Sequence, residues 1–188
     1  MALIKDGALV DDPWLTAPDG ADLAPAVPQI ISLERWQAAD TGLRNRPGRL
    51  GIRLRSDQSP ALVADDLGRF EVVALEFPKF TDGRGFSYAR LLRERYAYRG
   101  EVRAVGNVLR DQFLFMLRCG FDAFEVDCDR PLEVWHEAVA EFGVWYQPTA
   151  DGRIPAMVRR HRRLRAKLQE RLPRAETDAA THRLGPAE

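Results

Sequence analysis

Residues 71–112, EVVALEFPKFTDGRGFSYARLLRERYAYRGEVRAVGNVLRDQ, decide how the fold is read. An apolar run, Val72-Val73-Ala74-Leu75, ends abruptly at Glu76-Phe77-Pro78-Lys79-Phe80. A polar turn with two glycines follows, Thr81-Asp82-Gly83-Arg84-Gly85. From Phe86 to Tyr96 the spacing is helical. Glu101–Val105 is a second short strand that stops at Gly106, and a further helix is expected to begin near Asn107. Strand, loop, helix, repeated twice, is the unit of a parallel sheet with right-handed crossovers.

The alternation extends in both directions. Upstream, Gln29–Ser32 and Leu50–Leu54 read as strands, with Ser32 as N-cap of a helix through Trp36 and Ala39. Asn45-Arg46-Pro47-Gly48 breaks the chain, and Pro60–Leu67 is helical. Downstream, Val108–Cys119 has apolar residues at 109, 113, 116 and 117 and a stop at Gly120. Phe121–Val126 is a strand, and Pro131–Phe142 a helix with Leu132, Trp135, Val139 and Phe142 inward. Val144-Trp145-Tyr146 is expected to be the last strand.

At the N-terminus, Ala2–Lys5 and Ala8–Val10 flank Asp6-Gly7, a dipeptide suited to a type I′ hairpin turn. Residues 12–28 read as an irregular connection anchored by Trp14. The expected fold is α/β: parallel βαβ units in a single sheet, with six strands after an N-terminal β-hairpin. An open three-layer sheet and a half-barrel-like arrangement fit the pattern equally. The chain divides into the hairpin and connection (1–28), an α/β domain (29–150) and a basic tail (151–188), helical or partly disordered.

Composition narrows the function. With 188 residues there is room for one domain with a real core. Lys+Arg and Asp+Glu are both 28, so net charge gives no pull toward nucleic acid, which is not expected as a partner. The distribution is uneven: Arg153–Arg174 holds nine Lys/Arg against the single Glu170. The tail Pro155–Leu172 is read as a solvated basic appendage, with Met157, Leu164, Leu168 and Leu172 loosely in helical register. No apolar run approaches the roughly 18–20 residues of a bilayer span, and MALIKDGALVDD has no signal-segment pattern. No membrane association and a cytoplasmic location are therefore expected. Cys119 and Cys128 form neither a disulfide framework nor a CxxC pair. His136, His161 and His182 are scattered, so no metal is expected. No flavin, haem, nicotinamide or iron–sulfur signature appears, and no cofactor is expected.

Chemistry in a parallel sheet is sought outside the carboxyl ends of the strands. The first candidate is the loop Lys79–Gly85. Two glycines, Gly83 and Gly85, and two cations, Lys79 and Arg84, before a helix start could hold an oxyanion. The alternative is that Asp82 caps the helix and the glycines only permit the turn. The second candidate is a charged row, Glu76, Arg103 and Glu125, each inside an apolar strand. It reads either as a group that orients a ligand or shifts a pKa, or as a structural ion network. The third is Asn107 to Gln112, where Asn107 would be the N-cap and Arg110, Asp111 and Gln112 would face outward. Glu76, Asp82, Arg103 and Asp111 are thus the candidate catalytic groups; Lys79, Gly83, Arg84, Gly85, Arg110 and Gln112 are the candidate anion-binding set.

Three blocks carry a resemblance: ALEFPKFTDGRGFSYARLLRERY, GEVRAVGNVLRDQ and RCGFDAFEV. They resemble the signature of the bacterial family called domain of unknown function 934, and the likeness runs over about residues 1–148, including SLERW and VWYQP. Asn107 departs from the family, which usually has aspartate there, so no catalytic carboxylate is assigned to it. Members are commonly encoded beside the sulfite/nitrite reductase haemoprotein of assimilatory sulfate reduction. The resemblance therefore implies an accessory protein of sulfite reduction, binding an oxyanion or intermediate at the strand ends or docking on the reductase. Two other readings stand beside it. One is a small-molecule enzyme using Glu76, Lys79, Asp82 and Arg103; the other is an interaction module working through its acidic body or basic tail.

Overall fold

The computed structural model of the chain describes residues 1–24, 26–149 and 151–171. The end of the expected tail, with Leu172 and His182, lies outside the described residues. Eight strands form one sheet: β1 (Ala2–Lys5), β2 (Ala8–Val10), β3 (Leu15–Thr16), β4 (Gln29–Ser32), β5 (Leu50–Leu54), β6 (Val72–Phe77), β7 (Glu101–Gly106) and β8 (Ala123–Val126). Their order is β2-β1-β8-β7-β6-β5-β4-β3. From β3 to β8 neighbours are consecutive and parallel, while β1 lies antiparallel to both β2 and β8. Asp6 and Gly7 have φ of 50° and 81°, as the expected I′ turn requires.

The helices are α1 (Leu33–Gln37), α2 (Thr41–Arg44), α3 (Arg84–Arg90), α4 (Phe113–Cys119), α5 (Pro131–Ala140) and α6 (Ala156–Arg171). A 3₁₀ stretch over Pro60–Arg69 replaces the expected helix at 60–67, and α3 runs on as a π-turn over Leu91–Arg95. Right-handed crossovers between sequential neighbours put the helices on one face. The main core records this: Ile31, Ile52, Val73, Leu75, Phe77 and Ala104 from the strands pack with Trp36, Leu67, Leu92, Phe113 and Met116. The other face carries a small separate cluster, Trp14, Ile30, Val72, Ala74 and Val105, with no helical residue in it. This is the half-barrel-like arrangement; an open three-layer sheet would carry helices on both faces.

Connectivity forces the curl. β2 and β3 sit at opposite ends of the sheet, yet only Asp11–Trp14 separate them. Seven gaps at about 4.8 Å would set the edges of a flat sheet some ~34 Å apart. Five Cα steps reach at most ~18 Å. The edges are therefore drawn together, and residues 11–14 act as a strap across the hollow side. Side chains fill that hollow tightly. Gly51 stands where a Cβ would come 2.9 Å from Ile30 Cγ1 and 3.2 Å from Val72 Cβ.

Several expectations are corrected. Val144–Tyr146 is not a strand: Val144 and Tyr146 are exposed, and Trp145 is buried under the Arg118 guanidinium, 4.3 Å from its ring. The sixth strand of the parallel set is β3, inside the supposedly irregular connection. Asn107 caps nothing, because the next helical turn starts only at Arg110; its N–H instead donates to the Phe77 carbonyl at 2.7 Å. Phe142 lies past the end of α5 and is exposed, and Ala138 is the buried position of that helix. Ser32 does cap α1, accepting from the Arg35 N–H at 3.1 Å, but α1 stops at Gln37. Among the described residues no helix is long and apolar enough to cross a membrane.

Gly51→Ala should cost about 1–3 kcal/mol through overpacking of the hollow side. Urea unfolding should show a lower midpoint at unchanged m-value.

Candidate functional site

The carboxyl ends of β5, β6 and β7 meet at one rim. Gln112 stitches two of the loops together: its buried side chain accepts from the Leu109 N–H at 3.2 Å and donates to the Phe80 carbonyl at 3.5 Å. Gly106 makes the close approach possible. It adopts φ +90°, and a Cβ there would stand 2.7 Å from the Phe77 carbonyl oxygen. The third loop joins through Arg84, which donates from its Nη2 to Ser56 Oγ at 3.0 Å.

Arg84 is otherwise spent on Asp82. Its Nε and Nη2 donate to the two carboxylate oxygens at 2.9 and 2.6 Å. The bonds from Arg84 and then from Ser56 hold the Asp82 carboxyl well below the usual carboxylate range. Gly85 serves packing, since a Cβ there would meet the Phe77 ring at 2.5 Å. Gly83 precedes α3 with no side-chain cap, although Asp82 accepts from the Arg84 N–H at 3.3 Å. Arg110 turns toward α5, with Glu141 at 3.6 Å and Glu137 at 3.9 Å. Asp111 and Lys79 are exposed.

The charged row is divided. Glu76 pairs with Arg53 at 3.2 Å, both partly exposed at the rim. Arg103 stands opposite Ala74, one alternation deeper in the sheet, and is 1% exposed. Its guanidinium donates to Asp12 at 2.7 Å, Glu101 at 2.7 Å and Glu125 at 3.1 Å. Burial works against its charge, but the Asp12 and Glu101 carboxylates outweigh that and raise its pKa. Lys5 extends the network, donating to Glu101 at 2.7 Å, and this bond raises the lysine pKa. Of these partners only Glu125 belongs to the charged row read from the sequence. Glu101 was open to discovery, because positions 101, 103 and 105 of one strand share a face. Asp12, in an aperiodic connection, had no signal.

What the rim can do follows from its charge balance. Arg53, Arg55, Arg84 and Arg110 are each matched by carboxylates of the same chain. A free oxyanion would compete with all of them. Between the charges stand two exposed apolar side chains, Phe80 (52% exposed) and Leu109 (38%), on either side of Gln112. A separate cavity of about 410 Å³ opens at the opposite, amino ends of the strands, lined among others by Lys5, Trp14, Arg49, Arg99 and Glu101. No motif or spacing in the sequence points to it. Among the described residues no group of three or more His, Cys, Asp or Glu could hold a metal ion.

A curled α/β sheet with helices on one face and a charge-compensated rim is thus the class of protein the structure defines. The chain belongs to the family of bacterial proteins of unknown function DUF934, whose model matches residues 51–157. That match runs from β5 to the first residues of α6; the hairpin and strap precede it. None of the curated proteins compared matches the chain.

Arg103→Met should destabilise the fold by about 3–5 kcal/mol, since it leaves Asp12 and Glu125 without their cation and Glu101 with Lys5 alone. Arg53→Met, which breaks an exposed pair, should cost under about 1 kcal/mol. Parallel urea titrations of the two variants check the contrast.

Proposed function

We propose that this is a cytoplasmic accessory protein of assimilatory sulfite reduction that docks on the sulfite/nitrite reductase haemoprotein through the carboxyl-end rim of its sheet. The pathway rests on the sequence resemblance. The docking mode rests on one observation: Gln112 locks two rim loops together so that Phe80 and Leu109 project between cations already neutralised within the chain. Apolar anchors inside a polar border suit a protein surface. They suit a small oxyanion less, because Arg84 and Arg110 already have carboxylate partners and only Lys79 among the rim candidates has none in the described residues. An enzyme using Glu76, Lys79, Asp82 and Arg103 draws less support, because Arg103 is sealed in the hollow while the other three lie at the rim.

Immobilised haemoprotein should retain the protein, and the pair Phe80→Asp/Leu109→Asp should weaken binding at least tenfold, or about 1.4 kcal/mol. Titration with sulfite and sulfate should give no saturation. Saturable sulfite binding lost in Lys79→Ala, with no retention by the reductase, would replace docking by anion binding. Growth of a deletion strain on sulfate against cysteine checks the pathway.

A further inference from the structure

We propose that α6 binds the phosphate backbone of double-stranded nucleic acid. The balanced charge of the whole chain argues against such a partner, but α6 does not share that balance. Arg159, Arg160, Arg162, Arg163, Arg165 and Lys167 lie on one helix, all exposed, and none of them forms an ion pair among the described residues. Elsewhere among the described residues most arginines are ion-paired, with Arg35, Arg46, Arg69, Arg95 and Arg99 as exceptions scattered over the fold. Arg159, Arg163 and Lys167 follow one another at intervals of four, the spacing at which like charges weaken a helix. A polyanion relieves that repulsion.

The helix is presented from a firm base. The Ala156 N–H donates to the Trp145 carbonyl at 2.6 Å. Trp145 lies under Arg118, which is itself fixed to Asp151 at 3.2 Å and to the Gln147 carbonyl at 2.6 Å. Where α6 leaves this base a cavity of about 380 Å³ opens, lined by Val144, Arg159, Arg160, Arg163, Leu164 and Lys167. Ala156 completes the lining, and four of its seven residues are cations.

The arrangement of charge selects the kind of polyanion. At 3.6 residues per turn the six cations spread over about 220° of the helix circumference. A bilayer or a flat acidic protein face meets less than half of a helix. The major groove of a duplex, roughly 12 Å wide, accepts an α-helix with phosphates on both sides. Five of the six are arginines, whose forked guanidinium pairs with phosphate at two points. The exposed apolar residues Met157, Val158 and Leu164 make too thin a stripe for insertion into lipid. This reading concerns α6 alone and is independent of docking at the rim.

Fluorescence anisotropy of the full chain with a labelled mixed-sequence duplex DNA tests it. If four phosphates are neutralised the log–log salt slope should be about −3.6, a loss of roughly 150-fold in affinity between ~50 and ~200 mM salt. The variant Arg159→Ala/Arg160→Ala/Arg163→Ala/Lys167→Ala should lose most of that slope at unchanged Tm, and the same four positions as lysine should keep it. Single-stranded RNA as a second probe separates a duplex groove from any phosphate chain. Equal or tighter binding to polyglutamate, or to phosphatidylserine vesicles, would overturn the proposal, as would duplex binding that the quadruple variant leaves intact.

Discussion

The guanidinium of Arg103 and its three carboxylates are what the rest of this structure depends on. β7 supplies Arg103 and Glu101, β8 supplies Glu125, and the strap between the sheet's two edges supplies Asp12. A buried cation is costly unless carboxylates surround it, and the strap supplies one of the three around Arg103, so its docking stabilises the hollow face. The same Asp12 accepts from the Trp14 N–H at 3.1 Å, which sets Trp14 over the small apolar cluster beside it. One polar contact therefore orders the strap, fills the hollow and holds the two edges of the sheet near each other.

A filled hollow moves function elsewhere. In a curled sheet the concave side would be the natural pocket, but Trp14, Arg103 and the close packing at Gly51 occupy it. What stays accessible is the carboxyl-end rim, the cavity at the amino ends and the basic helix that leaves the body at Trp145. The rim is rigid for local reasons. Gly106 bends back onto Phe77, Gln112 spans two loops, and Arg84 ties a third through Ser56.

Much of the fold was legible because its signals are local. Asp6-Gly7 needs positive φ, Ser32 needs an amide two or three residues ahead, and the apolar runs of β6 and β7 are bounded by turn residues. The misses share a cause. β3 is two residues long and exists only because β4 offers it an edge, so no periodicity announces it. Val144-Trp145-Tyr146 has the composition of a strand, but Trp145 is claimed by the cation–π contact with Arg118 of α4. The candidate site was legible as a set of loops and not as a set of contacts. Glu76 and Arg103 sit in adjacent strands on the same face, and only the register, which sequence does not encode locally, sends one to the rim and the other inside.

Because β1 lies between β2 and β8, the first of the described strands pairs with the last: Leu3 is registered with Glu125. During synthesis the amino-terminal segment is thus made first and finds its neighbour only after nearly all of the α/β body has left the ribosome. Until then the flank of β8 has nothing beside it, and Arg103 lacks the aspartate that arrives with the strap. Closure of the sheet is a late, long-range event of the slow kind, and an amino-terminal deletion would leave an open β-edge and a buried guanidinium with two of its three carboxylates, Glu101 and Glu125.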